Sequence, residues 1–203
     1  MRPRRLSGVV VRPLNFTVRP HAPTHTSVAR LGAFTLFLLL AICAAALFGA
    51  VHDQISYTVS NEYFTRFKFL QFGLLDPAVP ERVRAAVVGV LASWWMGIPV
   101  GLLCGAAGFI QRSASAMRRA LLWTLAVVMG FTLLFALGGL VYGYFQTSTL
   151  DLANYSGWFI PPGLDQPRRF LCAGYMHNSA YIGGALGIPV AWLFNVAFRL
   201  REA

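Results

Sequence analysis

Two histidines beside long apolar runs are the residues of this chain best suited to chemistry. His52 directly follows the first apolar run, and His177 lies shortly after the start of the last one. An imidazole titrates near neutral pH and is the commonest side-chain ligand of transition metals. Polar groups held in or near hydrocarbon also need partners, because an unsatisfied group is costly there. The candidate polar cluster is therefore His52, Asp53, Gln54, Glu62, His177 and Asn178.

The sequence leaves several interpretations of this cluster open. In the first, histidine and aspartate side chains satisfy one another and cap helix ends, which is a structural role. In the second, His52, Asp53 and His177 bind a metal ion with help from Glu62; these are suitable ligand types, although their spacing matches no metal motif. The remaining interpretations are a catalytic or proton-relay pair and a polar pocket for another ligand. Apart from that metal ion, no cofactor is predicted.

The motifs of familiar enzymes do not occur in this sequence. It contains no nucleophile elbow, no HExxH zinc motif, no Walker loop and no dinucleotide fingerprint. Ser56, Ser60 and Ser156 have no diagnostic neighbours, and the cysteines show neither disulfide nor zinc spacing. These observations weigh against an enzyme.

The elements that must position these residues are membrane-spanning helices. Hydrophobic residues make up 57% of the 203 residues and charged residues only 12%, which is too few charges to cover a water-soluble surface. Four apolar runs are each long enough to cross about 30 Å of hydrocarbon as a helix. These runs are 31–51, 82–110, 120–145 and 171–198. The predicted fold is an all-α membrane protein, an antiparallel bundle of four transmembrane helices with outer interfacial loops.

Basic residues set the predicted orientation. The formal net charge is +10, and eleven of the seventeen lysines and arginines fall in the N-terminal arm, the loop after the second run, and the C-terminus. The positive-inside rule makes that side cytoplasmic, so both termini are predicted to lie in the cytoplasm. Residues 1–30 are predicted to be a disordered basic arm, and residues 31–200 a single transmembrane domain. Because the basic residues flank apolar segments, the predicted partner is the lipid bilayer and not nucleic acid.

A short motif occurs twice in the chain. Gly-Ile-Pro-Val begins at Gly97 and again at Gly187, ninety positions later, and the same offset aligns Gly73 with Gly163 without gaps. We interpret this pattern as duplication of a two-helix hairpin, with repeats at 31–110 and 121–200. Two spans return the chain to the same side, so the repeats would be related by an axis along the membrane normal.

Small residues recur at a spacing of four in the second and fourth runs. This spacing places them on one helix face, where they let another backbone approach closely. Packing within the bundle is one interpretation, and homo-oligomerisation or binding of a membrane partner is the other. The predicted packing residues are Gly89, Ser93, Gly97, Gly101, Gly105, Gly183 and Gly187.

Two aromatic-rich loops are predicted on the outer side. The first alternates over 55–60 like a short strand. It then continues as an interfacial helix that starts near Ser60 and carries Tyr63, Phe67 and Leu70 on one face. The second loop has tyrosine, tryptophan and phenylalanine before two prolines, which is typical of the aromatic belt at a membrane surface.

The first loop also carries a resemblance to a known family. The stretch His-Asp-Gln-Ile-Ser-Tyr-Thr from His52, with Glu-Tyr-Phe from Glu62 and Phe-Lys-Phe from Phe67, resembles a family of small bacterial membrane proteins of unknown function. The resemblance implies a bacterial inner-membrane location and no mechanism. Two functions are therefore expected in turn. The first is a structural or partner-binding membrane component; the alternative is a small transporter, channel or metal-handling protein that uses the outer His/Asp cluster.

Overall fold

The chain is helical wherever regular structure occurs in the part that the structure describes, residues 25–202 of a computed structural model. Four of the helices are long and apolar enough to cross a membrane, as predicted. Numbered in chain order, the helices are α1 His25–Val59, α2 at 61–72, α3 Glu81–Ile110, α4 Ala114–Gln146 and α5 Pro167–Arg201. The helix α2 is the short one, and it follows α1 on the outer side.

Helix α1 extends beyond its predicted bounds at both ends. It begins at His25, so the last residues of the predicted arm at 1–30 are helical, while 1–24 lie outside the described residues. It also continues through 55–60, where a strand was predicted, as far as Val59; the strand prediction is wrong. The reason is burial at helical spacing, because His52, Asp53 and Ser56 are buried and share one helix face.

Each of the other three long helices also extends past its predicted run. Within α3, the turn Trp94–Met96 tightens to a 3-10 helix. The cause is Pro99, which has no N–H to donate to the carbonyl four residues earlier, at Trp95. The corresponding proline of α5, Pro189, lies inside an uninterrupted helix.

Helix α2 forms an aromatic cap at the outer end. Its first turn is capped by the Ser60 hydroxyl, which accepts a hydrogen bond from the Tyr63 N–H. Its middle, Phe64–Lys68, is π-helical, and the wider turn brings Phe64 and Phe69 into one buried face. That face differs from the predicted one, since Leu70 is 59% exposed. The buried aromatic side chains pack against α3 and α5.

Glycines determine how closely the long helices pair. A Cβ built on Gly49 of α1 would lie 2.1 Å from the carbonyl oxygen of Gly89 in α3, so the two backbones are in direct contact. A Cβ on Gly139 of α4 would lie 2.1 Å from the hydroxyl of Ser179 in α5. The predicted packing glycines of α3 face α1, and those of α5 face α4. The molecule therefore consists of two tight pairs, α1 with α3 and α4 with α5.

Candidate functional site

The candidate site lies where α1 meets α5. His52 and Asp53 lie in the last two turns of α1, and His177 lies three turns into α5. The His52 and His177 rings meet edge to face, with centroids 4.6 Å apart. Only 4% of His52, 2% of Asp53 and 8% of His177 is exposed, so all three side chains are buried. The structure thus brings together the two histidines and the aspartate that the sequence nominated.

Hydrogen bonds connect these side chains in a chain. The Nδ1 atom of His52 donates to Oδ1 of Asp53 over 3.0 Å. The same Oδ1 lies 3.6 Å from Nε2 of His177. That Nε2 also shares a hydrogen bond of 3.1 Å with the hydroxyl of Ser56. Both α1 contacts therefore converge on one nitrogen of His177. This differs from a nucleophilic Ser-His-Asp arrangement, in which serine and aspartate bind opposite ring nitrogens.

Two atoms of the cluster are left without partners. Within the described part of the chain, Nε2 of His52 and Oδ2 of Asp53 are buried and make no hydrogen bond. Because Nδ1 of His52 carries the proton given to Asp53, Nε2 of the neutral ring is an acceptor. The carboxylate oxygen is an acceptor as well. The site therefore presents two unpaired buried lone pairs, which cost free energy unless a donor or cation satisfies them.

Aromatic rings close the site from two sides. The Tyr63 ring of the α2 cap lies with its centroid 4.8 Å from that of His177, and Phe64 lies 6.2 Å from the same ring. The Phe48 ring stacks on His52 at 5.8 Å. Burial raises the pKa of the Tyr63 hydroxyl, and the nearby carboxylate of Asp53 raises it further. The cap thus shields the polar cluster from the outer side with apolar surface.

A half-buried lysine of the cap also senses the site. Burial lowers the pKa of the Lys68 ammonium, and attraction to Asp53 opposes that effect. The ammonium lies 4.6 Å from the centroid of the Phe67 ring and donates a 3.1 Å hydrogen bond to Gln71. The carboxylate of Asp53 therefore influences both titratable groups of α2 that approach the cluster.

Three of the nominated polar residues lie outside the cluster. Gln54 points toward α3, where its amide donates to the carbonyl oxygen of Arg82 over 2.9 Å. Glu62 accepts hydrogen bonds from the N–H groups of Asp165 and Gln166, so it ties the first outer loop to the start of α5. Asn178 is exposed. Glu62 is therefore engaged elsewhere and does not supply the fourth ligand that the sequence suggested.

The sequence analysis missed two members of the site, Ser56 and Tyr63. Ser56 was placed in a strand, where its phase relative to Asp53 differs from that in a helix. With α1 continued to Val59, it lies three residues after Asp53 on the same face. Helical continuation of α1 was the signal that could have found it. For Tyr63, we find no local signal that could have predicted the ring contact with His177.

An apolar cavity adjoins the cluster on its inner side. Its volume is about 130 Å³, and side chains from α1, α3, α4 and α5 line it, so it lies between the two tight helix pairs. His52, Asp53 and His177 form its outer end. Small and aliphatic side chains dominate the wall, among them Ala41, Ala44, Ala92, Val100, Leu125, Val128 and Ala180. The polar cluster and an apolar chamber are thus parts of one site.

The other polar groups near the cavity are satisfied. Thr124 lines the wall, donates to the carbonyl oxygen of Ala120 and accepts a 2.8 Å hydrogen bond from the amide of Asn195. Asn195 in turn accepts from the Gln111 side chain over 3.2 Å. These buried groups therefore form a closed network between α4, α5 and the loop before α4.

The donor set fits a transition-metal ion. One ligand atom each from His52, Asp53 and His177 lies within 4.8 Å of the others, and all three residues are buried. Two imidazoles and a carboxylate suit Zn²⁺, and a three-ligand set leaves a coordination position open. In comparisons with known proteins, the chain matches no family model, no curated protein and no solved structure.

Proposed function

We propose that this chain is a multi-pass membrane protein that binds a divalent transition-metal ion at His52, Asp53 and His177. One observation carries the proposal: two buried acceptor atoms, Nε2 of His52 and Oδ2 of Asp53, have no partner in the described part of the chain. A cation satisfies both lone pairs at once. The proximity of His177, 3.6 Å from the same carboxylate, supplies a third ligand.

The type of site follows from its ligand number. Structural zinc sites are closed by four protein ligands, whereas sites with three leave room for water, substrate or cargo. Glu62 is held by the start of α5 and is not available as a fourth ligand. Three ligands beside a cavity therefore favour metal handling or metal-dependent binding over a purely structural metal.

The proposed setting is a bacterial inner membrane, crossed by an antiparallel four-helix bundle with both termini in the cytoplasm. Contacts among basic residues support a common inner end. Arg30 donates to the carbonyl oxygens of Gln111 and Arg112 over 2.9 and 2.8 Å, and Arg119 pairs with Glu202 at 2.6 Å. The start of α1, the loop before α4 and the end of α5 therefore meet, and the metal site lies in the opposite half.

A structural or partner-binding role is the second candidate, and one contact favours it. The hydrogen bond between Ser56 and His177 joins the first long helix to the last, so the cluster can hold the two helix pairs together without any ligand. The glycine faces, however, are occupied within the chain. A membrane partner would have to bind other surfaces, which weakens the argument that the sequence made from those glycines.

Metal content of the purified full-length protein tests the proposal. We expect one tightly bound Zn²⁺ or Co²⁺ per chain after exposure to the metal and removal of excess. His52→Ala, His177→Ala and Asp53→Asn should each lose it, with affinity falling at least tenfold. The exposed neighbour Asn178→Ala and the arm variant His21→Ala are the controls and should retain the ion.

Thermal melting of the same proteins separates the two candidates. If metal raises the melting temperature of the wild type but not of Asp53→Asn, the ion binds at this site and stabilises the fold by linkage. If the wild type takes up no stoichiometric metal while His52→Ala melts earlier than Asn178→Ala, the cluster is structural and the metal proposal fails.

A further inference from the structure

We propose that the open position of this metal site faces the apolar cavity and receives a small hydrophobic molecule that carries one coordinating oxygen. The inference rests on the proposed metal site and adds the class of its ligand. Its ground is the location of the unpartnered atoms: His52 and Asp53 line the cavity and are both more than nine-tenths buried. An occupant of the cavity would therefore meet the ion at the outer end.

The cavity is polar at one end, which orients the occupant. Its inner polar neighbour, Thr124, has its hydroxyl paired to Ala120 and Asn195, so that end has no demand for a polar ligand. Between the two ends the wall is aliphatic, for example at Leu125 and Val128. The oxygen of the occupant therefore belongs at the metal, and its apolar body points away from it toward the inner half.

The volume of the cavity limits the size of that body. At about 130 Å³, it is close to the roughly 150 Å³ of an engineered apolar cavity that binds benzene. One aromatic ring or a chain of about six carbons fills such a space. A drug-sized cofactor does not fit, since sites for those are generally at least about 300 Å³.

Charge decides which oxygen group fits. One carboxylate and two neutral imidazoles give a divalent ion a residual positive charge, so an anionic or readily deprotonated oxygen is favoured at the open position. The ligand class is therefore a phenol or similar hydroxylated apolar molecule, which partitions into the membrane and loses its proton on binding the metal. Metal-bound oxygen acids have lowered pKa values for this reason.

Cobalt spectroscopy with two matched probes tests the proposal. Phenol and toluene have nearly the same shape, and only phenol has an oxygen. With Co²⁺ bound to the full-length protein, we expect phenol to shift the visible cobalt bands and toluene to leave them unchanged. Gly184→Leu and, separately, Ala44→Leu should retain cobalt but weaken phenol binding at least tenfold, because both positions line the cavity.

The control variant is Gly138→Leu. Like Gly184, Gly138 is a helical glycine whose added Cβ meets nothing within 4 Å, but it does not line the cavity. It should bind phenol as the wild type does. Cobalt that binds without any phenol response overturns this inference and leaves the metal site standing. An equal phenol response in the cavity variants, or equal stabilisation of the metal-free protein by phenol and toluene, also overturns it. Failure to bind cobalt at all overturns the proposed function itself.

Discussion

The rings of His52 and His177 meet edge to face with centroids 4.6 Å apart, although one belongs to the first long helix and the other to the last. This contact requires α1 and α5 to be neighbours near their outer ends. It also places both imidazoles around the carboxylate of Asp53, which lies 3.0 Å from one and 3.6 Å from the other. Two helix pairs that are otherwise separated by a cavity are thus joined by one buried polar cluster.

The first prediction concerns membrane topology. Reporter fusions after Met117, near the start of α4, and after Ala203, at the C-terminus, should both report a cytoplasmic location, because basic residues gather at that end. A fusion after Gly157, in the second outer loop, serves as the opposite control and should report the periplasm. A periplasmic signal at either of the first two sites contradicts the proposed topology.

The second prediction concerns the contact between Gly49 and Gly89. A methyl group at Gly89 would lie 2.1 Å from the Gly49 carbonyl oxygen, so Gly89→Ala must separate α1 from α3. We expect a loss of about 1–3 kcal/mol in the free energy of unfolding, as for other overpacked sites. Gly130→Ala, where the added Cβ has nothing within 4 Å, is the control and should be neutral or stabilising. Equal stability of the two variants would mean that the helix pair is not glycine-packed.

The third prediction concerns the pH dependence contributed by Lys68. Its pKa is lowered by burial from the ordinary value of 10.5, so between the two values the unfolded chain binds more protons than the folded one. Stability from this group therefore rises with pH across that window and levels off above it. Lys68→Met should flatten this rise, whereas Arg66→Met, an exposed neighbour, should preserve it.

The measurement is the melting temperature in detergent as pH is raised, kept below 10. Above its ordinary pKa of 10.0, Tyr63 would add an opposite trend, since burial raises its folded-state pKa and stability is then lost as pH rises. A profile that is the same in the wild type and Lys68→Met would show that the ammonium is no more buried in the folded protein than in the unfolded chain.

The fourth prediction concerns the proposed duplication. Gly73 and Gly163 occupy positions ninety apart and have left-handed backbone angles, φ 68° and φ 71°. Each has open space around an added Cβ, so only the backbone conformation opposes substitution. Alanine should cost about 1–2 kcal/mol at either position, and asparagine, which tolerates this conformation, should cost less. Unequal costs at the two glycines would argue against equivalent turns.

A structural comparison within the chain provides a second test of the duplication. We predict that 31–110 superpose on 121–200 by rotation about an axis along the membrane normal. The pairing of Gly49 with Gly89 then corresponds to that of Gly139 with Ser179, each partner shifted by ninety. Different crossing geometries in the two helix pairs of an experimental structure would contradict the prediction.

The sequence by itself determined the number of long helices and their approximate positions. A run of some twenty apolar residues can satisfy its backbone in hydrocarbon only as a helix, so composition and length decide that element locally. The spacing of small residues was also informative. Gly97 and Gly101 share a face because of helix geometry alone, and that face contacts α1. The nomination of His52, Asp53 and His177 needed only their unusual location beside apolar runs.

Only the tertiary structure decided which polar groups meet. Gln54 and Glu62 were as plausible from the sequence as Asp53, yet they bond to Arg82 and to the start of α5. Ser56 joins His177 because α1 continues past its apolar run, and burial against α5 is what favours that continuation over the local strand-like alternation. The cavity was equally invisible, because it results from a mismatch between two glycine-packed pairs and no single helix encodes it. Periodicity reports which residues share a face, whereas the neighbour of that face depends on how the whole chain packs.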